Sequence, residues 1–105
     1  MMNNLKSGGM MKQVLQMQKQ LKQAQKELEK ETVTGLSGKG AIEITMTGSQ
    51  KCKKVKLNGE TIKDLKTEAL EKLLETAISD ALEKSRKLMA EKIGPLGGGL
   101  GGLKF

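Results

Sequence analysis

The chain has 105 residues, with 19 Lys+Arg against 12 Asp+Glu, a net charge of +7, one cysteine, one phenylalanine and no His, Trp or Tyr. An internal disulfide, a His-based catalytic triad and a Cys/His zinc site are therefore excluded. What remains is one small domain with a thin core, which small chains often complete by oligomerising, and a positive surface suited to an anionic partner.

Residues 1–9 carry Asn, Ser and a glycine pair and are expected to form a flexible lead, with Ser7 the nearest capping residue. A single α+β domain is predicted over residues 10–94. It opens on a long helix, Met10 to Glu31, with apolar side chains at Met10, Val14, Met17, Leu21, Ala24 and Leu28. That alternating four-three spacing fills the a and d positions of about three heptads, on a helix roughly 33 Å long. Lys12, Lys19 and Lys26 recur every seventh residue on the opposite face, with Lys22 beside them, and no acid occurs before Glu27. The helix macrodipole favours the reverse order, acids first and bases last, by about 0.3–1 kcal/mol per charge. Helix stability does not account for the early lysines; a negatively charged partner does.

Strands follow. Thr32 to Leu36 is rich in β-branched residues, Ile42, Ile44 and Met46 alternate with Glu43, Thr45 and Thr47, and Val55 and Leu57 alternate with Lys54 and Lys56. Short turns join them into a three-stranded antiparallel meander. Ser37-Gly38-Lys39-Gly40 lacks the spacing of a phosphate-binding loop and precedes a strand, so it is taken as a turn. Lys51, Lys53, Lys54 and Lys56 form the densest positive cluster, equally suited to phosphate contact and to a charged edge that resists aggregation. Cys52, within that cluster, is taken as a passive strand residue.

A helical turn is expected at Thr61 to Leu65, then a helix capped by Thr67. Leu70, Leu73, Leu74, Ala77, Ile78, Ala81, Leu82, Leu88 and Met89 keep helical spacing over about six turns. Glu68–Lys72, Asp80–Lys84 and Glu83–Lys87 are favourable i, i+4 pairs. Lys92, Gly94 and Pro95 give a stop signal, and the glycine-rich residues 95–105 are expected to form a mobile tail.

The segment VTGLSGKGAIEITMTGSQKCKKVKLNG, preceded by a Gln/Lys/Met-rich helix, resembles the YbaB/EbfC family of nucleoid-associated proteins. The matching positions are Val33, Gly35, Ser37, Gly38, Gly40 and Ile42, then Thr45 and Gly48, then Lys54, Val55 and Leu57. AISDALEKSRKLMAEKIG is similar to the family's last helix, so the resemblance covers residues 10–94. Two positions depart from the pattern: Asn58-Gly59-Glu60 stands where the family often has a proline, and Ile78 where it often has an aromatic. The resemblance implies a tweezer-like homodimer whose helical arms engage duplex DNA.

If the first and last helices pack antiparallel, their free ends meet in one basic arm. The candidate DNA-binding residues are then Lys12, Lys19, Lys22 and Lys26 on the first helix and Lys84, Arg86, Lys87 and Lys92 on the last. Whether the apolar seam of the first helix is filled from its own chain or from a second copy is left open. The lack of aromatics argues against single-strand and RNA readers, which stack bases. Arg86 is the one arginine, so lysine-to-phosphate contact with little sequence preference is expected. The expected role is a cytoplasmic, nucleoid protein that binds double-stranded DNA and alters its conformation, with effects on gene expression and DNA protection. No cofactor, metal, small-molecule substrate or enzyme activity is expected. No run approaches the roughly 18 apolar residues of a membrane span, and the N-terminus lacks a signal-peptide core. The rival readings are an arm that grips another protein, such as one of the replication or recombination machinery, and a basic helix resting on an anionic membrane.

Overall fold

Alternation along one strand decides where the core sits. In the computed structural model, which describes the backbone of residues 2–100 and the side chains of residues 9–94, Ile42, Ile44 and Met46 are buried on one face of the middle strand, while Glu43 and Thr45 look outward. The element order is α1 (Met2–Lys30), β1 (Thr32–Ser37), a short 3-10 turn (Gly38–Gly40), β2 (Ile42–Thr47), β3 (Cys52–Leu57), α2 (Gly59–Ile62) and α3 (Thr67–Leu100). The strands form an antiparallel sheet in the order β1-β2-β3, with Gly35 opposite Ile44 and Val55 opposite Ile44 on its other side. A bulge between Thr45 and Met46 shifts the register toward Cys52.

α3 lies across β1 and β2. Ala77 and Ala81 pack with Ala41, Ile42, Ile44 and Met46, and Val33, Leu70, Leu73, Leu74 and Leu82 close the margins. The approach is close because Gly35 faces the helix: a Cβ there would run into the Ala77 carbonyl oxygen and the Ala81 amide nitrogen. Two hydroxyls stitch the layers together. Ser37 Oγ donates to the Leu73 carbonyl at 2.6 Å, and the buried Ser85 Oγ donates to the Thr47 carbonyl at 2.8 Å. Both satisfy the hydroxyls in a region where an unpaired polar group is costly.

The Ser37–Gly40 stretch is a turn, as its sequence suggested. Gly38, Lys39 and Gly40 have φ of 60°, 57° and 89°, left-handed conformations that glycine adopts freely. Asn58 caps α2, its side chain accepting from the Thr61 amide at 3.3 Å.

A second, smaller core joins the two long helices. Leu21, Ala24 and Leu28 of α1 pack against Leu88, Met89 and Ile93 of α3, so over this stretch the heptad seam is filled from within the chain. Gly48 sits under the junction, where a Cβ would meet Leu28 Cδ2 at 2.5 Å, and its amide donates to the Glu31 carbonyl at 3.0 Å. Because α1 runs toward the sheet and α3 away from it, the pair projects as an arm, and the molecule measures 76 × 23 × 16 Å.

The helix ends differ from the sequence expectation. α1 begins at Met2, inside the stretch expected to be a flexible lead, and α3 runs past Gly94 and Pro95 to Leu100, into the expected tail. Asn, Ser and Gly lower helix propensity without removing a hydrogen bond, whereas Pro95 removes one and costs about 3 kcal/mol although its fixed φ is helical, so the helix continues past it at a local cost. Residues 101–105 of that tail lie outside the described residues. α3 also starts one position differently: the Lys66 carbonyl accepts from the Leu70 amide at 3.0 Å, which gives Lys66 the capping place expected for Thr67.

The two margins of the sheet are unlike. Along β1, the Leu36 amide donates to Asp80 Oδ2 at 2.9 Å and the Thr34 carbonyl accepts from Lys84 Nζ at 2.8 Å. Asp80 and Lys84 are themselves paired at 3.1 Å, so α3 lays a donor and an acceptor along that edge as a neighbouring strand would. The Leu36 amide, and after it Lys84, holds the Asp80 carboxyl below its usual range. β3 is exposed at every position, and among the described residues no other element caps it.

Candidate nucleic-acid interface

The arm determines where the charges go. Its α1 face opposite the apolar seam carries Lys12, Lys19, Lys22 and Lys26, all exposed, and none forms an ion pair among the described residues. At about 1.5 Å per residue they span about 21 Å of helix. Arg86 of α3 is likewise exposed and without an acidic partner among the described residues.

The other three candidates are engaged. Lys84 serves the β1 edge and Asp80. Lys87 lies 3.8 Å from Glu83, an exposed pair of little energetic weight. Lys92 reaches across the arm, 2.8 Å from Glu31 Oε2 and 3.2 Å from Glu27 Oε2. These hydrogen bonds, Glu31 first, raise its affinity for the proton above that of an ordinary lysine.

The free ends therefore do not merge into a single basic tip. With Leu28 beside Leu88 and Ala24 beside Ile93, Lys84, Arg86 and Lys87 lie level with the sheet, and Lys12 sits about 30 Å farther along the arm axis than Arg86. Of the α3 candidates only Lys92 stands alongside α1. Lys51, Lys53, Lys54 and Lys56 are all exposed around β3, with Lys56 at 4.0 Å from Glu43.

What sequence reasoning missed is the clustering of Glu27, Glu31 and Lys92. The signal was present in the spacing: Glu27 and Glu31 are four apart, hence on one face of α1, flanking the seam that α3 fills. The same trio explains half of the inverted charge order of α1. Two of its late acids, Glu27 and Glu31, have a partner within the chain, whereas its early lysines have none among the described residues.

Apolar side chains are also exposed. Val55 (51%) and Leu57 (43%) lie on the sheet face that α3 covers over β1 and β2 but leaves open over β3. Ile78 (43%) is exposed and, at about 100° per residue, stands about 160° around α3 from Asp80. On the arm, Met10 (67%) and Val14 (52%) continue the seam beyond its covered part. No helix among the described residues is long and apolar enough to cross a membrane.

Comparison with known proteins resolves the family. The model of the YbaB/EbfC DNA-binding family matches residues 2–100. The chain belongs to the YbaB/EbfC DNA-binding family. Similar relatives are nucleoid-associated proteins: one from Rhodopseudomonas palustris BisB18 is 41% identical over 92 residues, covering 88% of each chain. Another, from Agathobacter rectalis, is 43% identical over 103 residues, covering 94% of this chain and 87% of the relative. An uncharacterized Helicobacter pylori protein of known crystal structure shares the fold, with a TM-score of 0.63 at 20% identity over 89% of this chain and 90% of the other. The family match extends beyond residues 10–94, so α1 and α3 belong to the shared architecture over nearly their full lengths.

Proposed function

We propose that this YbaB/EbfC protein is a nucleoid-associated homodimer that binds double-stranded DNA with little sequence preference and alters its conformation, with effects on gene expression and DNA protection. The observation that carries the reading is the lysine face of α1: four cations on one side of a projecting helix, free of ion pairs among the described residues. Cations held by internal carboxylates have less to gain from a phosphate than unpaired ones. Lysine presents a point charge and not a planar fork, so phosphate contact with weak base readout follows.

We propose that the second copy docks at β3. The β1 margin is sealed by Asp80 and Lys84, whereas β3 presents an open edge beside Val55, Leu57 and Ile78. A two-fold axis at that side covers the apolar face and points two arms the same way. Ile78→Glu places a charge in that contact. Sedimentation is expected to show a dimer for the unmodified protein and a monomer for the variant; a unmodified monomer overturns the dimer.

The test of binding is fluorescence anisotropy with a labelled random-sequence duplex across a salt series. Four α1 lysines on each of two arms give a log–log slope of up to about −7, at about −0.9 per phosphate neutralised. Lys19→Glu with Lys26→Glu is expected to abolish binding while helicity is kept. Unchanged affinity in that double variant removes α1 from the interface. A protein partner is the second reading, favoured by the exposed Met10, Met11, Val14 and Leu15. It predicts capture that survives nuclease treatment and depends only weakly on salt.

A further inference from the structure

We infer that Lys92 is a positioning residue of the arm and not a phosphate contact: with Glu27 and Glu31 it fixes the rotation of α1 about its own axis and so aims the lysine face. The inference rests on the DNA-binding reading above and adds how the interface is held in place.

The geometry is specific. Lys92 Nζ lies 3.2 Å from Glu27 Oε2 and 2.8 Å from Glu31 Oε2, and its side chain is about two-thirds covered, at 31% exposure. The clasp crosses between helices far apart in the sequence, directly beside Ile93, Ala24 and Leu28 of the seam. Glu27 sits on the last turn of α1 and Glu31 just past its end, its amide bonded to the Glu27 carbonyl at 2.8 Å, so a single ammonium held by both carboxylates resists rolling and sliding of that helix. The seam alone is less selective. It consists of Leu, Ala, Met and Ile, contacts without direction, and methionine adapts readily to a new neighbour. Polar partners at an otherwise apolar helix interface are an established means of specifying register.

Rotation matters because the cations are on a defined line. At about 100° per residue, Lys12, Lys19 and Lys26 fall within about 40° of one another and roughly opposite the apolar seam. Glu27 and Glu31 lie between these two stripes, about 40° apart. If α1 rolls, every lysine of the face turns together. An ammonium already held by two carboxylates must also break those bonds to reach a phosphate, a cost that the free α1 lysines do not carry.

The decisive variant is Glu27→Gln with Glu31→Gln, which raises the net charge from +7 to +9. Simple electrostatics predicts tighter binding to a polyanion. The clasp predicts weaker binding, by about ten-fold, because the arm lysines must then be ordered on binding. Lys92→Gln is expected to lose a similar factor with the salt slope unchanged, and Lys92→Arg, which can bridge both carboxylates, is expected to retain binding. Binding of the double glutamine variant as tight as or tighter than the parent overturns the inference, as does a drop in slope of about 0.9 per protomer in Lys92→Gln, the signature of a lost phosphate contact. Hydrogen exchange of the α1 amides, measured without DNA, supplies an independent readout. Faster exchange in the double glutamine variant is expected, and unchanged exchange overturns the clasp. If the unmodified protein binds no duplex at low salt, the DNA reading fails by itself and exchange alone decides whether Lys92 positions α1.

Discussion

The two halves of α1 carry one continuous apolar stripe and meet opposite environments. Near the sheet, Ala24 and Leu28 are buried against Leu88, Met89 and Ile93; toward the other end, Met10 and Val14 are open to solvent. The lysine face runs along both halves. One helix thus anchors itself at its base and presents charge along its length. Spacing defines the face of a helix, but the neighbouring element decides how much of that face is covered.

Substitutions can break this division. The largest effect is expected beneath the anchored part, where the sheet touches α3. Gly35→Val forces side-chain atoms into the backbone of Ala77 and Ala81, and a loss of about 3 kcal/mol or more is expected in urea unfolding. Next comes the seam: Leu28→Ala empties a buried site and should cost about 2–5 kcal/mol. Smaller still is the response to acid. Because Asp80 is held below its usual range, its contribution to stability is present above about pH 4 and is lost as the pH falls through its lowered value. Asp80→Asn should accordingly be less stable than the parent at neutral pH, and the gap should close in strong acid. At the exposed end, Val14→Ser is expected to change stability by less than about 0.5 kcal/mol. A loss there as large as that of Leu28→Ala would show that the outer seam has a partner in solution.

Much of the architecture could be read before folding was considered. Alternation marked Ile42, Ile44 and Met46 as the inner face of a strand, and the spacing of Leu70 through Leu82 marked the face α3 turns to the sheet, though Ile78 in that run is exposed and Leu88 and Met89 turn to α1 instead. Gly35 was marked by its motif, and its reason is now physical: two backbones approach too closely for any side chain. Interactions between distant elements were not readable. Asp80 and Lys84 look like an ordinary i, i+4 pair, and they do pair, but both also reach the backbone of β1, more than forty residues away. Glu68 and Lys72 have the same spacing and form no ion pair within 4.0 Å, whereas the likewise exposed Glu83 and Lys87 lie 3.8 Å apart. Lys92 carries the same charge whether it faces water or two glutamates, so its pairing across the arm was not readable from the sequence. The α1 lysines could be placed because their seven-residue repeat lies opposite a seam visible in the same segment.

The capped margin of β1 has a further consequence for how copies of this chain add up. Growth of a β-sheet from molecule to molecule needs an acceptor edge at each end, so that every new member offers another site. Here Asp80 and Lys84 occupy one margin, and joining two molecules through β3 uses up the other. If copies pair through β3 as proposed, edge-to-edge association terminates at a pair. On the proposed function, such a pair crowded along DNA would be kept from knitting its own sheets into a fibre.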